Sequence, residues 1–122
     1  MDGLIYWEVS STPLGIQITC RGHDKARTVG TAVATFQKLT AEREGQFCIV
    51  ADLREMTGYE TEARVAWQEA LRRQRQRIES IVFVGARSAL IRMGAAAVGA
   101  FSGIPVRFVH GWSEVPAAMK GG

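Results

Sequence analysis

The chain is poor in nearly every residue type that would announce a chemistry. Its 122 residues hold two cysteines, Cys20 and Cys48, and two histidines, His23 and His110. The cysteines lack the paired spacing of a zinc site or a redox motif. Neither has a neighbour placed to lower its pKa, so both read as small buried hydrophobes kept reduced. Two isolated imidazoles without further ligands at matching spacing do not make a metal site, and neither a metal nor a cofactor is expected. Glycine-rich phosphate loops are missing, as is the dinucleotide fingerprint. A receiver domain would need an acidic pair after its first strand, where Ser10-Ser11 and Gly22-His23 stand instead. Long apolar runs are missing too. The longest, Met93 to Phe101, is far too short to span a bilayer. Asp2 and Glu8 break the apolar start, which argues against a signal segment and for a cytoplasmic location.

What is present fits one globular domain with a real core, residues 1–122, with ends expected to fray at 1–2 and 120–122. Hydrophobic residues make up 47% and the net charge is +3, too mild to imply nucleic acid unless clustered on one face. No repeat, linker or low-complexity segment interrupts the chain.

The informative stretch is Phe47-Cys48-Ile49-Val50-Ala51-Asp52-Leu53, which hands over through Gly58-Tyr59 to an amphipathic run around Trp67. It reads as strand, loop, helix. A second such unit follows, Ile81-Val82-Phe83-Val84-Gly85 leading into 88–101. Both strands are apolar on both faces, as central parallel strands require. Ahead of them, alternation over residues 3–10 and again over 16–21, around the turn formers of 10–15, predicts an antiparallel hairpin. Asp24 is placed to cap a first helix from Lys25 to about Glu44, where Gly45 gives a stop signal. The second helix is expected to start near Tyr59 to Thr61, burying Ala63, Trp67, Ala70, Leu71 and Gln74, with Ile78 near its end. Ser88 is a candidate N-cap for the third. A last strand is read at 105–109 and a short helix at 113–119, with Pro116 in its first turn. The fold class is therefore α/β, a single-domain mixed sheet in the order β-β-α-β-α-β-α-β-α.

That order, with Ile49-Val50-Ala51-Asp52-Leu53, Gly58-Tyr59, Trp67, Ile81 to Gly85 and Val106-Arg107-Phe108, resembles the STAS fold of sulfate transporters and anti-sigma-factor antagonists. It is most similar to small bacterial STAS-like proteins grouped with SEC14-type domains. The resemblance spans roughly residues 14 to 119 and implies a non-enzymatic regulatory module that works by protein–protein contact. In the antagonist branch, a loop reading Asp-Ser-Ser-Gly-Leu follows the third strand, and its first serine is phosphorylated by a partner kinase. Laid without gaps from Asp52-Leu53, it falls on Glu60-Thr61-Glu62-Ala63. The acid and hydroxyl survive as Glu60-Thr61, while the second serine becomes Glu62 and the glycine Ala63. A phosphate on Thr61 would sit between carboxylates, a repulsive setting unless helix N–H groups and a basic partner offset it.

Candidate sites follow from placement. Ligands bind at the carboxyl ends of parallel strands, near helix N-termini. That edge should gather Asp52, Thr57, Tyr59, Gly85, Arg87, Ser88 and His110. Gly85, Arg87, Ser88 and His110 form a candidate anion or ligand seat, set against an ordinary loop with a capping serine. His110 beside Asp52 as a general base gives a small-hydrolase reading, but no nucleophile–base–orienter set can be assembled. Tyr59, Glu60, Thr61 and Arg92 are the candidate partner-binding or switch residues. Arg72, Arg73, Arg75 and Arg77 are spread around a helix end without interleaved aromatics, which favours solvated cations at a helix C-terminus over nucleic acid. The third helix is apolar on every side except at Arg92, so beyond the sheet it needs a neighbour, a second copy or a partner. The partners expected are a protein or a homodimer. A lipid or nucleotide ligand is the alternative, and no membrane span is foreseen.

Overall fold

The computed structural model describes residues 7–120. The element order is β1 (Trp7–Ser11), β2 (Gly15–Asp24), α1 (Ala26–Ala41), β3 (Phe47–Tyr59), α2 (Thr61–Arg73), β4 (Ile78–Val84), α3 (Ala89–Ser102), β5 (Val106–Val109), a 3₁₀ turn (Trp112–Glu114) and α4 (Val115–Lys120). This is the order read from the sequence. Residues 3–6 of the expected first strand lie outside the described residues, as do 1–2, 121 and 122 among the expected frayed ends; Lys120 closes α4.

The five strands lie in chain order, β1-β2-β3-β4-β5. β1 pairs antiparallel with β2, and every later pair is parallel. With right-handed crossovers and a sheet that grows in one direction, α1, α2 and α3 fall on the same face. The main core is built there from Ile16, Ile18, Ile49, Ile81, Phe36 and Trp67 among others. The opposite face is covered by α4 and the 3₁₀ turn before it, where Val115 meets Val50, Val82 and Val84 and Trp112 packs beside them. Each central strand is therefore buried on both sides, which explains its unbroken apolar run.

Four expectations about boundaries change. β3 does not stop at Leu53 but continues to Tyr59, pairing only with the end of β2 through Arg21↔Glu55, Gly22↔Met56, His23↔Gly58 and Asp24↔Tyr59. This ribbon projects past β4 and is wet on its flanks, so it can carry polar residues that read as a loop. An ion pair from Arg21 to Glu55 (3.7 Å) ties it across. Ile78 opens β4 rather than ending α2, and Gln74 is the half-buried C-cap of α2. Asp24 does not cap α1. Lys25 holds the N-cap position without a side-chain bond, while the Asp24 carboxylate turns inward. Finally, α1 stops at Ala41, short of Glu44. Arg77 donates to the carbonyls of Thr40 (2.9 Å), Arg43 (2.6 Å) and Gly45 (3.2 Å), so the chain leaves the helix early around one guanidinium. Ser88 caps α3 as expected, its Oγ accepting from the Ile91 N–H at 3.1 Å.

Arg77 thus belongs to the fold rather than to a solvated helix end. It also stands over the Phe47 ring at 5.4 Å, with Arg43 over the same ring at 5.7 Å. Replacing Arg77 by Ala leaves three carbonyls without their charged donor. Urea denaturation should then show a loss of about 2 kcal/mol, the order found for hydrogen bonds to a charged group.

Candidate functional site

Two buried carboxylates sit on opposite faces of the sheet. Asp52 lies in mid-strand on the α4 face, not at a strand end. It accepts from Arg54 through Nε (3.0 Å), a terminal nitrogen (2.8 Å) and the backbone N–H (3.1 Å), and from the Trp112 indole at 3.0 Å. Burial alone would raise its pKa, but these donors outweigh burial and hold the carboxyl below its usual range. His110 is exposed, and its backbone N–H donates to the Glu114 carboxylate at 3.2 Å. The general-base pairing of Asp52 with His110 weighed from the sequence does not form: Asp52 is instead tied to the C-terminal segment through Trp112.

Asp24 ends β2 on the helix face, 1% exposed, and accepts from the Trp7 indole. Burial pushes its carboxyl up to about 6; the indole and His23 oppose that shift and Glu60 adds to it. Trp7 in turn lies against Trp67, ring centroids 4.9 Å apart, and Trp67 meets Phe36 edge-on at 5.9 Å. Between these rings, the sheet and the α2–α3 pair lies a cavity of about 70 Å³. Trp7, Asp24, Tyr59, Arg64, Trp67 and Gly94 are among its lining residues, and the remaining walls are hydrocarbon. Tyr59 and Arg64 are half-buried and so lie where it meets solvent.

The sequence-predicted residues fall into three places. Tyr59 at the tip of the ribbon donates from its hydroxyl to the Leu90 carbonyl (3.3 Å) and lies across Gly94, where a Cβ would come within 2.6 Å of its ring. It joins the end of β3 to the start of α3. Glu60 is the N-cap residue of α2, yet its carboxylate serves α1, accepting from the Ala26 N–H at 2.8 Å. Thr61 opens α2 and is exposed. Gly85 is buried, has φ +70°, and would bring a Cβ within 2.3 Å of the Arg54 side chain. Its N–H donates to Val109, Ser88 is occupied as a cap, and Arg87 is exposed beside it. Arg92 is exposed on α3 and reaches over the Phe108 ring of β5 at 5.4 Å. Thus Tyr59 and Glu60 converge on the helix starts. The 85–88 turn is built from its own capping contacts, and Arg92 stands apart on α3.

Among the described residues, no cluster of three or more His, Cys, Asp or Glu could hold a metal, and no helix is long and apolar enough to cross a membrane. Both thiols are buried, and burial pushes each pKa upward. The reasoning from sequence missed the roles of Asp24, Trp7 and Trp67. An acid at a strand–helix junction signals a cap, and nothing local marks it as turned inward.

No family model and no curated protein matches this chain. Among solved structures it is similar to an uncharacterized DUF3478-family protein from Shewanella loihica PV-4, described as having a SpoIIAA-like fold. The two superpose with a TM-score of 0.72 over 98% of each chain, at 9% sequence identity. The fold is SpoIIAA-like. This is the STAS architecture that the lead hairpin and the two strand–helix units resemble, and at this identity the likeness concerns the fold alone.

The buried Asp24 gives a pH signature with a definite sign. Its folded carboxyl titrates near 6 against an ordinary 3.8, so between those values the folded state holds a proton that the unfolded state has released. Relative to Asp24→Asn, the wild type should lose stability as pH rises from about 4 through about 6, and then level off. Chemical denaturation of both proteins across that range reads the difference directly. Gly94→Ala should displace Tyr59 from α3, seen as faster exchange of backbone amides in the first turns of α3.

Proposed function

We propose that this chain is a non-enzymatic regulatory module that works by docking an acidic-rimmed protein surface, or a second copy of itself, on the outer face of α3. The observation that carries this reading is the clustering of exposed hydrophobics there. Leu90, Met93 and Phe101 are 55%, 69% and 67% exposed, and Val65 of neighbouring α2 is exposed as well. Ala96 and Ala100 lie exposed between them, so the face is smooth as well as apolar. Soluble monomers rarely leave large contiguous apolar surface uncovered. Arg87 and Arg92 are exposed cations at the N-terminal end of the same helix, which favours a partner with carboxylates around an apolar centre.

Tyr59, Glu60 and Thr61 lie at the same end of the domain as the start of α3 and extend the contact region. Thr61 is the residue on which a phosphoryl switch would act in this reading. Glu60 is already committed to the α1 N-terminus, so added charge at Thr61 would strain that link as well as any docked surface.

The test uses native mass spectrometry and light scattering on the purified chain, together with capture from lysate. The double variant Met93→Glu/Phe101→Glu, with unchanged circular dichroism, should abolish a complex that the wild type retains. A wild type that stays monomeric and captures nothing beyond what the double variant captures would count against the reading.

A further inference from the structure

We infer that the occupant of the exposed face of α3 is an amphipathic helix of a partner protein, with carboxylates beside its apolar stripe, an inference that rests on the docking reading above.

Spacing points to a helix. Leu90, Met93, Ala97 and Ala100 recur along α3 at intervals of three, four and three. On a helix that spacing lines up one side, and it is the seam by which two helices pack at a shallow angle. Leu90, Met93 and Ala100 are exposed, Ala97 is half-buried, and Phe101 stands exposed beside the seam. The alanines leave a low floor between Met93 and Phe101. Small side chains at a contact let a second helix axis come close. A bilayer draws only on apolar area, of which alanine offers little.

Charge points to carboxylates. Residues 80–113, which include all of α3, contain no Asp or Glu. Arg87 and Arg92 are exposed at the N-terminal end of the helix, where cations oppose its dipole. Arg75 reaches the other end, its Cδ 4.0 Å from where a Cβ on Gly103 would lie. On α2, Glu62 and Glu69 lie three residues before and four after the exposed Val65, and Glu69 is paired with Arg72 at 3.6 Å. Cations at both ends of an apolar seam are complementary to a helix that brings acids of its own. A second copy offers the same acid-free helix, so neither α3 can answer the other's cations.

Two model peptides of about three heptads test this, each with leucines along the seam. One carries glutamates in the flanking positions and the other lysines. Calorimetric titration into the purified full chain should show saturable binding of the glutamate peptide, about tenfold tighter than the lysine peptide, with a gap that narrows as salt is added. Ala100→Leu, at an exposed position, fills the floor and should weaken the glutamate peptide by about tenfold. On a bilayer the same change adds apolar area and strengthens adsorption, so both proteins are also sedimented with vesicles of phosphatidylcholine and phosphatidylserine. Equal binding of the two peptides overturns the inference. So does binding of neither, or adsorption to vesicles that Ala100→Leu enhances. The docking reading is decided separately, by the Met93→Glu/Phe101→Glu comparison, which can succeed with a partner of other chemistry.

Discussion

Two carboxylates taken out of water on adjacent strands hold this domain together, and each is answered by an indole from one end of the chain. Trp7 on the first strand donates to Asp24, and Trp112 after the last strand donates to Asp52. A buried carboxylate without donors would be destabilising, and removing a single partner exposes that penalty. These contacts add a polar tie to the β1–β2 ladder at one side of the sheet and to the packing of Val115 at the other. The two sites differ in degree. Asp52 collects a guanidinium as well as the indole and is held below the usual carboxylate range, whereas burial pushes the Asp24 carboxyl up to about 6.

Most of the fold could be read from hydrophobic pattern, because the central strands are buried on both faces and the three crossover helices on one. Ile49 to Leu53 and Ile81 to Val84 carry that signal without ambiguity. The misread parts share a cause. Residues 54–58 form strand in a two-stranded ribbon with water on its flanks, so burial imposes no alternation on them. Arg77 looks like one more cation in a basic run until the chain brings three carbonyls from around the end of α1 to it. Asp24 carries the local chemistry of a helix cap, and only the packing of Trp7 against Trp67 shows why it turns inward. Site residues defined by long-range contact leave no local trace. Those defined by capping, such as Ser88, do.

The third helix has two characters on one rod. Ile91, Gly94 and Ala95 face inward and help to close the cavity, while Met93 and Phe101 are largely exposed. A helix apolar on all sides would ordinarily be enclosed. Here it forms the roof of an internal space and an external surface at once, and Tyr59 fastens its first turn to the ribbon.

The sequential order of the strands bears on how the molecule assembles. Each new β–α unit docks beside the one just completed, so no strand has to insert between two that are already paired. A polypeptide emerging from its N-terminus can build the hairpin first and extend the sheet outward. The sheet can thus be completed by addition at a single edge, with the bond from Trp112 to Asp52 joining the segment after β5 back to its centre.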